Sequence, residues 1–150
     1  MKIFFTLSLF LLIAILNKSC SNSQIIHICS EDRNNCVTII TDNNIRYVIA
    51  GKTKRVPEIN YLKLDISQVD NLADGIWICW LPDNNWDMVV QNSVIVENQL
   101  DTTKYFFSNQ LPKDENGIPH ETKFRENNCA IFDFYTMRLS PDKGAIVEIK

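Results

Sequence analysis

Residues 76–81 read Ile-Trp-Ile-Cys-Trp-Leu and lie at the middle of the chain. Every position in it is apolar, which is the pattern of a strand covered on both faces. Asp74 and Gly75 come before it and a Pro-Asp-Asn-Asn run at residues 82–85 comes after it, and both flanks are typical of turns. The pattern therefore predicts a short, central strand of a β-sheet.

A second stretch alternates between apolar and polar residues, as a half-exposed strand does. Over residues 61–66, Leu62, Leu64 and Ile66 share one face, and the other face is polar or aromatic. Residues 67–73 hold the one helical turn that the sequence allows.

Other apolar runs have the length of strands and are separated by turn-forming residues. They lie at residues 25–29, 37–41, 45–49, 86–90, 94–97, 105–108, 129–139 and 145–149. Many short strands with almost no helix predict an all-β fold, an antiparallel sandwich. An immunoglobulin-like sandwich is the first choice, and a barrel is the alternative.

The N-terminal segment has the pattern of an export signal. Lys2 supplies the positive charge, residues 3–16 are uncharged and largely apolar, and Ser19 and Cys20 follow. The Asn-Lys pair at residues 17–18 ends the run before the length of about 20 apolar residues that a membrane-spanning helix needs. We therefore expect an exported protein.

The Ser19-Cys20 pair that closes the apolar run resembles the lipobox of bacterial lipoproteins. Asn17 stands where that family usually has an aliphatic residue, so the looser boxes of Bacteroidetes lipoproteins are the better likeness. The resemblance covers only the leader, and it implies that Cys20 becomes lipid-modified and forms the mature N-terminus. In those lipoproteins an acidic pair after the cysteine resembles a surface-export tag, and residues 21–24 lack such a pair. The resemblance therefore implies an outer-membrane lipoprotein that faces the periplasm. Plain secretion with cleavage nearby is the alternative.

These features divide the chain of 150 residues into three parts. Residues 1–19 are the expected signal peptide, residues 20–24 a polar tether, and residues 25–150 one β domain. The last part has the size of one ordinary domain with its own core.

Four cysteines remain after Cys20, and an even number fits a compartment in which disulfides persist. They are Cys29, Cys36, Cys79 and Cys129, and three pairings are possible. We favour Cys29 with Cys36, because the polar residues between them predict a hairpin loop that sets the two opposite each other. Cys79 then pairs with Cys129. Alternatively, these last two are buried free thiols.

The formal net charge of the chain is −3, and it becomes more negative when Lys2 and Lys18 leave with the leader. An acidic surface repels a phosphate backbone. We therefore predict no nucleic-acid partner.

The two histidines give little support to metal or nucleophilic chemistry. His27 shares a strand face with Cys29, and the two could hold a metal if Cys29 were reduced. An oxidising compartment argues against that state, and His120 lies in a long polar stretch at residues 109–128. Neither histidine stands in a motif that supplies a base to a serine or cysteine nucleophile. We predict no metal site and no cofactor.

The tryptophans around the turn at residues 82–85 are candidates for a binding surface. A strand sets Trp77 and Trp80 on opposite faces, so that one of them is core. Trp80 and Trp86, with Asn84 and Asn85 between them, could form an exposed aromatic platform for a sugar or a protein partner. The alternative is that all three tryptophans fill the core.

Asp133 is a carboxylate within the otherwise apolar run at residues 129–139. A desolvated carboxylate can serve as a general acid, which requires a second acid such as Glu97 or Asp101. A salt bridge to Lys or Arg, or plain exposure at a sheet edge, is the favoured explanation of Asp133.

The leading hypothesis is a lipid-anchored envelope protein that acts as a protein-binding or inhibitor-like module. It would contact the membrane through Cys20 and a protein partner through the turn between Trp80 and Trp86 or through residues 109–128. The alternative is a small extracytoplasmic hydrolase that uses Asp133 in a carboxylate pair. A structural envelope protein without a discrete site is a third possibility.

Overall fold

The alternating apolar runs of the sequence build two β-sheets that pack face to face. The computed structural model describes residues 23–119, 128–140 and 146–150. Its strands are β1 (Gln24–Cys29), β2 (Cys36–Asp42), β3 (Ile45–Ala50), β4 (Tyr61–Asp65), β5 (Ile76–Leu81), β6 (Asn85–Val90), β7 (Val94–Asn98), β8 (Tyr105–Ser108), β9 (Cys129–Asp133), β10 (Arg138–Ser140) and β11 (Ile146–Ile149).

The first sheet has six strands in the order β11-β1-β2-β3-β4-β7, and all neighbours are antiparallel. Strands β1 to β4 follow one another as a meander. The turn from β2 to β3 is tight because Asn43 adopts a positive φ of 53°, a conformation that asparagine tolerates.

The second sheet has five strands in the order β10-β9-β5-β6-β8, and β8 runs parallel to β6. Strand β5 lies at its centre, between β9 and β6. Ile76, Ile78 and Trp80 point between the sheets, whereas Trp77 and Cys79 point outward and pack against Leu111 and other residues. Both faces of β5 are therefore covered, which confirms the prediction from its sequence.

One apolar core fills the space between the two sheets. Its largest fully buried apolar side chains come from both sheets and include Ile26, Ile39, Leu62, Ile78, Trp86 and Phe132. A smaller cluster on the outer face of the second sheet surrounds the Cys79–Cys129 disulfide.

The predicted all-β sandwich is confirmed. The predicted alternative, a barrel, is wrong, because the two sheets are open in the part of the chain that the structure describes. The strand order differs from that of an immunoglobulin domain, in which neither sheet contains four strands that are consecutive in the chain. Here β1 to β4 all lie in the first sheet, because each connection leads to the neighbouring position.

Both predicted disulfides are present, Cys29–Cys36 and Cys79–Cys129. Each joins residues that are directly opposite on neighbouring antiparallel strands, with Cα atoms 4.0 Å apart. The alternative of two free thiols at Cys79 and Cys129 is therefore wrong. Two disulfides indicate an oxidising environment outside the cytosol.

Two local predictions need correction. The expected long strand over residues 129–139 is broken into β9 and β10, because the Asp133 carboxylate accepts hydrogen bonds from the amides of Tyr135 and Thr136 and closes a turn. Met137 adopts a positive φ of 55° in that turn. Residues 67–73 form hydrogen-bonded turns instead of a helix, and a short 3-10 turn lies at Pro82–Asn84.

Several predicted features lie outside the described residues. They are the leader at residues 1–19, with Cys20 and most of the tether, and His120. Strand β1 begins at Gln24, which is the last residue of the predicted tether.

Candidate functional site

The predicted tryptophan platform is not exposed. Trp80 and Trp86 are directly opposite on β5 and β6, and both side chains point between the sheets. Trp80 is 8% exposed and Trp86 is fully buried. The ring centres of Trp86 and Tyr105 are 5.0 Å apart. The expectation of an exposed surface at these two residues is therefore wrong, because the register that pairs β5 with β6 directs both indoles into the core.

The two asparagines of the same turn have different environments. Asn84 is exposed at the tip, whereas Asn85 is half-buried at the start of β6. The backbone carbonyl of Asn85 accepts a hydrogen bond of 3.0 Å from Nδ2 of Asn35, which lies in the loop closed by the Cys29–Cys36 disulfide. This contact ties the turn to the other sheet, whereas Pro82, Asp83 and Asn84 are exposed.

The acids proposed for a hydrolase do not meet at one site in the described structure. Asp133 ends β9 in the second sheet, whereas Glu97 lies on β7, at the edge of the first sheet. Asp101 follows β7 and accepts two hydrogen bonds from Thr103. The described lining of the cavity at Asp133 includes neither Glu97 nor Asp101.

Asp133 instead lines a small cavity together with Asp74. The cavity measures about 160 Å³ and lies where residues 71–75 pass over the outer face of the second sheet, above Trp77 and Ile131. The backbone at Gly75 lies so close to that of Phe132 that a Cβ at Gly75 would be 2.7 Å from the carbonyl oxygen of Phe132. Ligand pockets are usually larger, about 300–1,000 Å³.

Both carboxylates of this cavity support the surrounding loops. Oδ2 of Asp74 accepts from the amide of Asp70 at 3.0 Å and from Nδ2 of Asn92 at 2.9 Å. Asp133 holds the turn after β9, as described above. The carboxylates thus have a structural role that explains their positions without catalysis.

A wider hollow of about 500 Å³ lies in the loop after β3, lined by Thr53, Arg55, Val56, Pro57 and Glu58. All of its lining comes from one short loop. Since no second element contributes a wall, the hollow offers a ligand little enclosure.

His27 lies on the outer face of the first sheet, buried against Thr38 of β2. Its strand neighbour Cys29 is in a disulfide and so is not a metal ligand. Burial lowers the pKa of His27, and the nearby Lys150 and Lys52 lower it further. In the described part of the chain, no three His, Cys, Asp or Glu side chains are grouped so that they could hold a metal ion.

The clearest exposed feature is an open side of the sandwich, formed by β7 and β8. These two strands are the outermost strands of their sheets, on the side opposite the contact between β10 and β11. Val94, Ile95 and Val96 are 55%, 48% and 53% exposed, and Phe106 of β8 is 50% exposed. We call these four residues and the edges that carry them the open side.

The strands of the open side were predicted from the sequence, but their exposure was not. The exposure of β7 follows from the sheet order, since in the described structure β7 pairs with β4 alone and lies at the edge of its sheet.

The carboxylates near β7 are ionised at neutral pH. Hydrogen bonds from the Tyr61 hydroxyl and from Gln99 lower the pKa of Glu97. A hydrogen bond from the amide of Ser67 lowers the pKa of Asp65, which lies opposite Val94. Neither carboxylate forms an ion pair within the described residues.

No helix in the described residues combines the length and hydropathy needed to cross a membrane. Comparison of the chain with protein-family models, with curated proteins and with solved structures gives no match.

Proposed function

We propose that the chain is an exported, lipid-anchored envelope protein that binds a protein partner through the open side. The observation that carries the proposal is the exposure of Val94, Ile95 and Val96 on a strand edge that has no pairing partner among the described residues. Contiguous exposed apolar residues and open strand edges are typical of protein interaction sites. The open side replaces the turn between Trp80 and Trp86 as the proposed contact surface.

Export and anchoring are supported by independent features. The two disulfides require an oxidising compartment, and the leader ends in the Ser19-Cys20 pair that resembles a lipobox. The proposal places the protein in the outer membrane, facing the periplasm. A lipid on Cys20 would hold the domain near the membrane surface by a short polar tether.

The anchor is tested by fractionation of cells that express the full chain or Cys20→Ser. We expect the unchanged protein in the membrane fraction as a mature, lipidated species. We expect no such species from Cys20→Ser. A mature protein that begins at a residue other than Cys20, without lipid by mass spectrometry, would contradict the anchor.

The contact surface is tested by site-specific photo-crosslinking in the native host. A benzophenone amino acid replaces Ile95 on the open side or, as a matched control, Tyr135, which is 71% exposed in the turn after β9. We expect a defined protein adduct from position 95 and not from position 135. The same adducts from both positions, or none from position 95, would contradict the proposal.

A further inference from the structure

We propose that the partner adds an extended segment to the free edge of β7, and that this segment has an apolar centre with Lys or Arg at each end. This inference rests on the proposed function and specifies the chemistry of the partner.

The backbone of β7 determines the conformation of the added segment. In the described structure β7 pairs with β4 alone, so the main-chain donors and acceptors along its other side face outward. Only an extended chain satisfies such a row of groups, and peptide recognition by strand addition uses this arrangement.

The side chains of β7 determine the centre of the segment. Ile95 lies opposite the fully buried Leu64 and so stands on the core face of the sheet, whereas Val94 lies opposite Asp65 on the outer face. Val96 lies between the pairs Ile95–Leu64 and Glu97–Lys63, where the register is irregular. Because apolar groups are exposed on both faces, apolar side chains of an added strand gain contacts on both faces.

The charges determine the ends of the segment. Asp65 lies across from Val94, and Glu97 directly follows Val96, so a carboxylate brackets the apolar residues at each end. Hydrogen bonds keep both ionised, and neither has a salt bridge in the described residues. Lys63 lies opposite Glu97, but its ammonium group is directed to the Tyr47 ring, 6.0 Å from the ring centre. A basic group on the partner would meet Glu97 on β7 itself. A long Lys or Arg side chain at the other end would extend over Val94 toward Asp65, which lies on β4, about 10 Å from the added strand.

The same charges disfavour a second copy of this chain as the occupant. Two β7 edges brought together would carry the same carboxylates, and the chain as a whole has a net charge of −3. The acidic edge therefore favours a basic partner over self-association.

The test measures binding of labelled seven-residue peptides to the purified protein by fluorescence anisotropy. One peptide has alternating Val and Thr between terminal lysines, a second has glutamates in place of the lysines, and a third has a central proline. We expect the lysine peptide to bind about tenfold or more tightly than either of the others, since like charges repel and proline cannot complete the ladder.

Single substitutions test whether the peptide binds to β7. Val96→Lys should weaken binding of the lysine peptide about tenfold or more, because it adds a like charge at the centre of the edge. Tyr135→Lys, which adds the same charge in the exposed turn after β9 and away from the open side, should leave binding nearly unchanged. Protection of the amides of residues 94–98 from hydrogen exchange upon peptide addition checks the site without a substitution.

Equal binding of the lysine and glutamate peptides, or equal effects of Val96→Lys and Tyr135→Lys, would overturn this inference. Concentration-dependent dimerisation that protects β7 without peptide would also overturn it, in favour of a second copy. If no peptide binds while position 95 still forms its specific crosslink, the inference fails and the proposed function stands. If the crosslink is absent as well, both fail.

Discussion

The Nδ1 atom of His27 lies 3.0 Å from Oγ1 of Thr38, beneath the start of the loop that follows β3. The Thr38 hydroxyl has one proton, which it donates to the carbonyl oxygen of Gly51 at 2.7 Å. It therefore accepts hydrogen bonds from Nδ1–H of His27 and from the amide of Thr53. This geometry fixes the neutral tautomer of His27 and fastens the loop to the sheet.

Protonation of His27 should destabilise the fold. Burial holds the pKa of His27 below 6.5, and Lys150 and Lys52 act in the same direction, whereas Glu148 opposes them. Because the unfolded chain binds the proton more tightly, the free energy of unfolding is at its full value above pH 6.5. It falls as the pH is lowered from there and levels off below the folded-state pKa.

Urea unfolding at several pH values between 5 and 8 measures this effect. His27→Asn keeps a side-chain amide near the position of Nδ1 and does not titrate. The slope of its unfolding free energy against pH should therefore be flatter than that of the unchanged protein. Asn84→Ala, at the exposed tip of the turn before β6, serves as the control and should leave the slope unchanged. An identical slope for the unchanged protein and His27→Asn would contradict the assignment.

The two disulfides should contribute unequally to stability. The Cys79–Cys129 bond joins residues separated by 50 positions, and the Cys29–Cys36 bond joins residues separated by 7. Loop-closure entropy gives about 4 kcal/mol for the longer loop and about 2.5 kcal/mol for the shorter one. Replacement of each pair by alanines, followed by urea unfolding, should show the larger loss for Cys79 and Cys129. Equal losses, or the reverse order, would contradict the entropic account.

Much of the fold was predictable because the strands and turns have local signals. The apolar run of β5 and the polar loop between Cys29 and Cys36 each led to the correct structure. The break after β9 was not predictable from apolar periodicity, because it depends on the Asp133 carboxylate binding two amides. The candidate site was harder still, since exposure depends on sheet order. Nothing local distinguishes the exposed Val94 from the buried Val48.

Arg46 illustrates the same limit, since a charged residue on a strand normally faces solvent. It is buried, its guanidinium lies 3.9 Å from the centre of the Phe134 ring, and burial lowers its pKa to about 10. Its hydrogen bonds, both 3.4 Å long, go to the neutral side chains of Thr41 and Asn71.

Replacement of this buried charge by an apolar side chain of similar length should be tolerated. Arg46→Met keeps packing against Phe134 and removes the cost of desolvating the guanidinium, so we expect a change in unfolding free energy within about 1 kcal/mol or a gain. Arg46→Ala also loses the packing and should cost about 2–4 kcal/mol. Chemical denaturation compares the two. A loss for Arg46→Met as large as that for Arg46→Ala would show that the charge itself stabilises the fold.

Trp86 should behave as a core residue and not as a contact residue. Its side chain is fully buried between the sheets and packs on Tyr105, so Trp86→Ala should lower the free energy of unfolding by about 3–5 kcal/mol. Asn84→Ala, at the exposed tip of the same turn, is the matched control and should change it by no more than about 0.5 kcal/mol. Denaturant unfolding followed by far-UV circular dichroism gives both values. If the two variants were equally stable, the indole would have to lie outside the core, and the turn between Trp80 and Trp86 would again be a candidate contact surface.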